Sequence, residues 1–169
     1  FSGTEMLVTG ASGMIGAYFA SSVIQGCSIQ GLNPPSLTLL TRTLGSGNIS
    51  IFSGSPSVRV VETELVGWKV DRSFDFLIHA ASPASPTKYG DPTAVMQANL
   101  GFLESIQRQG MPRSTLQISS GEIYGSNPPR SVEETYSQAV IPASPRAVYP
   151  EAKIAAERLL AEMGANGST

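Results

Sequence analysis

Short apolar runs rich in β-branched residues alternate along this chain with stretches of helical spacing. The runs are EMLVT (5–9), LTLLT (37–41), VRVVE (58–62), FDFLIHA (74–80) and TLQISS (115–120). Their near-continuous apolar character predicts strands buried on both faces, as in a parallel sheet. Between them MIGAYFASSVIQ, DPTAVMQANLGFLESIQRQ and YPEAKIAAERLLAEM read as helices. Asp91 is placed to cap the second of these, with Pro92 in its first turn. In the third, Ile154, Ala155, Leu159 and Met163 lie along one side. A βαβαβ order of this kind predicts an α/β fold, a Rossmann-like doubly wound parallel sheet, over residues 1–169.

Composition narrows what such a sheet could serve. Of 169 residues, 41% are hydrophobic and 14% charged, which suits a packed core rather than a disordered chain. A net charge of −2 without a basic cluster argues against a nucleic-acid or membrane-surface role. Cys27 is the single cysteine, so there is no internal disulfide framework and no cysteine-based metal set. It is expected to be a small buried hydrophobe or a bystander after the first helix. No apolar run reaches the length of a membrane span, and no basic-then-apolar leader pattern opens the sequence. A cytoplasmic protein is the expectation.

The first strand runs into TGASGMIG, with glycines at 10, 13 and 16. Glycine allows a tight turn and close approach of backbone N–H groups to a phosphate, which a helix N-terminus then stabilises. The spacing is G-x-x-G-x-x-G rather than G-x-G-x-x-G. A strand before it, a helix after it and further parallel units favour a dinucleotide cradle over an ordinary loop of small residues. Gly10, Ser12, Gly13, Met14, Ile15 and Gly16 would form it.

T-G-x-x-G-x-x-G after the first strand resembles the pattern of extended short-chain dehydrogenases, the NAD(P)-dependent epimerase/dehydratase family. HAAS (79–82) looks like that family's fourth-strand end, where Ala80, Ala81 and Ser82 would line the cofactor. ISSGEIYG (118–125) resembles its fifth-strand end, and YPEAK (149–153) matches its Y-x-x-x-K pair. The resemblance spans nearly the whole chain and implies an enzyme. Asn99 is a further cofactor-contact position by the same likeness, and Glu64 and Leu65 fall where the family's adenine contacts lie.

The residues themselves make chemical sense of this. Tyr149 and Lys153 are four apart and share a helix face. A phenol is ordinarily a poor base at neutral pH, and a nearby ammonium favours its phenolate form. Tyr149 could then take a proton from a sugar hydroxyl while hydride passes to the nicotinamide. By resemblance Ser120 would hold that hydroxyl. The alternative is a surface Tyr and Lys on an ordinary helix. His79, the only histidine, is expected to be a hydrogen-bonded structural residue rather than a base. At the second strand's end, LLTRT offers Thr41 and Arg42 and no acid. That favours NADP over NAD, because an Arg there accommodates a 2′-phosphate; the alternative is a solvated Arg42 with NAD bound by other contacts.

HAASPASPTKYGDP and PASPRAVYPEAK look closest to UDP-glucuronate decarboxylases. In that group and in sugar 4,6-dehydratases, a glutamate follows the catalytic Ser/Thr by two residues, here Glu122. Dehydratases need an aspartate between the two. Gly121 stands there instead, which disfavours that reaction and also departs from the small polar residue of the decarboxylases. The missing acid at the second strand is another departure. A third is NLGF, where the family spaces Asn and Gly one residue further apart.

The implied function is nucleotide-sugar oxidoreduction of epimerase, decarboxylase or reductase type, through a 4-keto intermediate. The alternative is a catalytically silent NADP-binding sensor or structural subunit. Extended members continue beyond the Y-x-x-x-K helix into a substrate domain, so a cofactor domain truncated before that part is expected. Family likeness further implies a homodimer through the Asn99 and Tyr149 helices. The Pro-, Ser- and Gly-rich stretch from Gly121 to Ala147 has the length of a functional loop.

Overall fold

A computed structural model describes residues 3–45, 48–83, 90–125, 127–136 and 146–166. Five strands form one sheet: β1 (Glu5–Thr9), β2 (Ser36–Thr41), β3 (Val58–Glu62), β4 (Phe76–His79) and β5 (Ser114–Gln117). Every pairing is parallel and the order is β3-β2-β1-β4-β5. The order reverses between β1 and β4, and ligands of such sheets bind at the carboxyl ends flanking that switch point. This is the Rossmann-like architecture that the alternation predicts.

Register explains the core. Phe76, Met6, Leu37 and Val58 align across four strands, and Ile78, Val8, Leu39 and Val60 form a second row two residues on. Both rows face α1 (Met14–Ile29) and the 3₁₀ turn Ile49–Phe52, packing with Ala17, Ala20, Ile49 and Phe52. On the opposite face Leu7 and Leu77 are fully buried. Each such side chain contributes roughly 1.5–3 kcal/mol. Burial on both faces thus holds for the central strands. The edge strands β3 and β5 are only half-buried or exposed, with Leu116 of β5 50% exposed, because an edge has a neighbour on one side only.

Several boundaries differ from the sequence expectation. The fourth strand covers 76–79 rather than 74–80. Asp75 precedes it, accepting the Glu5 N–H on its carboxylate at 3.0 Å while its own N–H donates to the Glu5 carbonyl at 2.9 Å. The fifth ends at Gln117 rather than 120, because Ser120 turns the chain into a 3₁₀ helix (Gly121–Tyr124). α1 runs on to Ile29, so Cys27 is a buried residue inside the helix and not one that follows it. Gly31, at φ +65°, ends α1: Leu32 N–H donates to Cys27 O at 2.8 Å and Gly31 N–H to Ser28 O at 3.1 Å.

The stretch expected as one helix over 91–109 has three parts: α2 (Pro92–Met96), a π-helical turn (Gln97–Gly101) and α3 (Phe102–Gln109). Asp91 caps α2 as expected, accepting from Ala94 N–H at 3.0 Å. Within the π turn, Asn99 is buried and its side-chain amide donates to Val95 O at 2.8 Å. That bond competes for the carbonyl an α-helix would use and favours the wider turn.

The chain divides into two compact bodies. One is Phe1–Ala81 with Glu104–Ile118, and holds the sheet. The other is Ser82–Leu103 with Ser119–Thr169, and holds α2, the π turn and α4 (Val148–Asn166). In this second body Val95 packs with Tyr149 and Ala152. The buried face of α4 is Tyr149, Ala152, Lys153 and Ala156, whereas Ile154, Ala155, Leu159 and Met163 are half-buried.

Candidate active site

In the sheet body the three glycines converge on one carbonyl. Gly10 leaves β1 at φ +69°, and a Cβ there would lie 2.7 Å from Ala81 N and 2.8 Å from the Ala80 carbonyl. Its oxygen accepts from Gly13 N–H at 2.9 Å. A Cβ on Gly16 would lie 2.5 Å from that same oxygen. Only glycine fits at 10 and 16, so the turn draws tight and brings the start of α1 against the ends of β1 and β4. Gly13 is the N-cap, without a side-chain cap, and the first turn of α1 carries no acid. Helix geometry leaves the first N–H groups without intrahelical partners, and they carry partial positive charge. Met14 and Ile15 are exposed and Ser12 half-buried. This cradle fits a pyrophosphate.

Behind it, Thr9 Oγ1 lies 2.7 Å from His79 Nδ1 and accepts from Ala81 N–H at 3.2 Å. His79 is fully buried, so it braces the β1 and β4 ends as a structural histidine, as its sequence position suggested. At the β2 end Thr41 is buried and its hydroxyl donates to Thr43 O at 3.2 Å, while Arg42 is exposed. The sequence reading missed Glu62. The parallel register sets it beside Thr41, and its carboxylate accepts from Leu44 N–H at 3.1 Å. An acid ending the adjacent strand is the signal that could have found it. Glu64 is exposed and Leu65 half-buried just beyond β3.

The second body brings together Ser120, Glu122, Tyr149 and Lys153 on α4 and the 3₁₀ turn that packs against it. Ser120 caps that turn, its Oγ accepting from Glu122 N–H at 3.2 Å. The Glu122 carboxylate pairs with Arg146 at 3.4 Å. Tyr149 is 8% exposed. Lys153 is 2% exposed, with Nζ 5.8 Å from the centroid of the Tyr149 ring. Burial pushes the Lys153 ammonium down to about 8, and the Glu157 carboxylate opposes that shift. Ser119 Oγ donates to Glu157 Oε1, a contact absent from the sequence reading. Ser82 is half-buried, and Asn99 is engaged with Val95 O as described above.

A phenol and a buried ammonium side by side have the chemistry that a proton-transfer pair requires, and a glycine turn at the switch point has the geometry that a dinucleotide cradle requires. The sequence profile of the NAD dependent epimerase/dehydratase family matches residues 6–169. The chain belongs to that family. No curated protein matches it as a relative. Among solved structures, a similar fold occurs in a double mutant of the dTDP-glucose 4,6-dehydratase DesIV from Streptomyces venezuelae, with NAD and DAU bound. It is 19% identical with a TM-score of 0.71, over 96% of this chain and 52% of that one. A UDP-glucuronic acid 4-epimerase mutant from Bacillus cereus, in complex with NAD, is 19% identical with a TM-score of 0.73, over 94% and 52%. A UDP-glucose-4-epimerase from Stenotrophomonas maltophila with bound NAD is 22% identical with a TM-score of 0.68, over 98% and 50%. At these identities the likeness is one of fold. The family chain described here spans about half the length of these structures. No helix among the described residues is long and apolar enough to cross a membrane, and no group of metal-binding side chains occurs among them.

Proposed function

We propose that this chain is the cofactor-binding part of an oxidoreductase that modifies nucleotide-sugars by way of a 4-keto intermediate. The observation that carries the reading is the Lys153 ammonium, buried beside the Tyr149 ring and pushed down to about 8. An ammonium desolvated to this extent has a use where it can stabilise a neighbouring phenolate.

A bound nicotinamide dinucleotide supplies the hydride acceptor. The first-turn N–H groups of Met14, Ile15 and Gly16 hold its pyrophosphate, with Gly10 and Gly13 shaping the turn and Ser12 beside it. Thr41 and Arg42 serve the adenosine ribose, Glu64 and Leu65 the adenine, and Ala80, Ala81, Ser82 and Asn99 the remainder of the dinucleotide. Arg42 is exposed and answers a 2′-phosphate, so NADP is preferred. Tyr149 accepts the sugar hydroxyl proton, Lys153 stabilises the resulting phenolate, and Ser120 holds the hydroxyl in line. Glu122, released from Arg146, is the second acid–base group. Its place two residues after Ser120 supports a decarboxylase-like reaction. The protein is cytoplasmic and pairs with a second copy through the Asn99 helix and α4.

Nicotinamide reduction measured against a panel of UDP- and dTDP-sugars tests this. In the full-length enzyme, turnover with at least one sugar, lost in Tyr149→Phe, is the expected outcome. Cofactor binding by that full-length enzyme without any turnover would assign it to a silent NADP-binding subunit instead.

A further inference from the structure

We propose that Glu157, held in place by the Ser119 hydroxyl, is a positioning residue that keeps Lys153 protonated beside Tyr149. The proposal deepens the reading of Tyr149 and Lys153 as the proton-transfer pair and rests on it.

Three observations within one body carry it. Tyr149, Lys153 and Glu157 follow one another at intervals of four on α4, so the three side chains line one helix face. Lys153 is nearly sequestered from water, at 2% exposure. A lone ammonium in that position sheds its proton rather than remain charged. Glu157, one turn on, is half-buried, and the Ser119 hydroxyl donates to its Oε1. The bond fixes the carboxylate against α4 instead of letting it swing into solvent. It also ties Ser119, and with it the adjoining Ser120, to the helix that carries Tyr149.

Charged groups on the described elements that pack against α4 can be named one by one. The α2 and π segments that pack on α4 contain no titratable residue between 92 and 101. The 3₁₀ turn contributes Glu122, which pairs with Arg146, and Tyr124, which packs against Tyr136. The burial of Lys153 depresses its proton affinity, and the Glu157 charge opposes that loss.

The test reads Lys153 directly, without cofactor or sugar. The sequence has lysine only at 69, 88 and 153, so side-chain ¹³C labelling gives a spectrum assignable by the signal lost in Lys153→Met. In Glu157→Gln, Lys153 should lose roughly tenfold in proton affinity while Lys69 and Lys88 stay fixed. Ser119→Ala should shift it in the same direction by less, and Glu157→Asp should restore part of the loss. An unchanged Lys153 titration in Glu157→Gln overturns the proposal. Should that variant unfold, an unchanged titration in both Ser119→Ala and Glu157→Asp overturns it equally. A shifted Lys153 in a full-length enzyme that turns over no sugar would leave the Glu157 assignment standing and remove the catalytic reading.

Discussion

At the carboxyl end of the sheet Thr41 of β2 stands in register with Glu62 of β3, whose carboxylate is fastened to the Leu44 N–H at 3.1 Å. The acid is committed to shaping the loop that carries Arg42, and Arg42 stays exposed. On the proposed cofactor preference, Arg42→Ala should weaken NADP binding by roughly ten- to a hundredfold, the worth of a charge-assisted hydrogen bond, and leave NAD within about twofold. Calorimetric titration with both dinucleotides checks this. Equal affinities in the parent chain would remove the argument.

The glycine turn makes a steric prediction. Gly16→Ala places a methyl 2.5 Å from the Gly10 oxygen, and backbone cannot yield as a flexible side chain would. A loss of about 1–3 kcal/mol is expected, together with loss of dinucleotide binding. Gly26, in the same helix, has no atom within 4 Å of its added Cβ, so Gly26→Ala should instead stabilise by about 0.5–1 kcal/mol. Urea denaturation of the two variants distinguishes them. Similar effects from both would mean that the convergence on Gly10 O has no energetic weight.

Lys153 is predicted to destabilise the fold that houses it. Its ammonium titrates near 8 when folded, against 10.5 for an ordinary lysine. Below about 8 the unfolded chain holds this proton more tightly, so the full cost stands, of order 3 kcal/mol. As pH rises from about 8 to 10.5 the unfolded state binds more protons than the folded one, so stability climbs. Lys153→Met should therefore be more stable at neutral pH and lack that climb. Denaturation curves at neutral pH and near pH 10 check both parts. A less stable Lys153→Met would show that the buried ammonium is fully compensated.

Tyr149 packs through its ring against Val95 and Ala152. Tyr149→Phe keeps that ring and removes one hydroxyl, so melting temperature and dinucleotide affinity should barely change. Turnover by the full-length enzyme should fall by roughly two to four orders of magnitude, the usual worth of a positioned acid–base group. Near-normal kcat would exclude Tyr149 as the base.

What the sequence made legible follows from which interactions are local. The strands and α1 could be read because their apolar pattern and the turn at Gly10 are written in consecutive residues. Asp91 could be read as a cap because capping spans three residues. The place of Glu62 beside Thr41 could not, since it depends on the register between two strands. Nor could the Ser119–Glu157 bond, which joins residues 38 apart in sequence. The π turn was hidden for a different reason. Its cause is one side-chain amide choosing a backbone carbonyl, and helix periodicity is blind to that choice. The stretch from Gly121 to Ala147 falls partly outside the described residues, as do positions 84–89 within the HAASPASPTKYGDP motif.

The turn at Asn99 also sets the phase of the residues that follow it within its own body. Before it Val95 packs on Tyr149, and after it Phe102 and Leu103 of the same body are buried. A single residue added or removed between Gln97 and Gly101 rotates the downstream helix by about 100°. Phe102 and Leu103, both fully buried, would swing off their face together. The NLGF spacing therefore acts as an angular setting for these buried side chains.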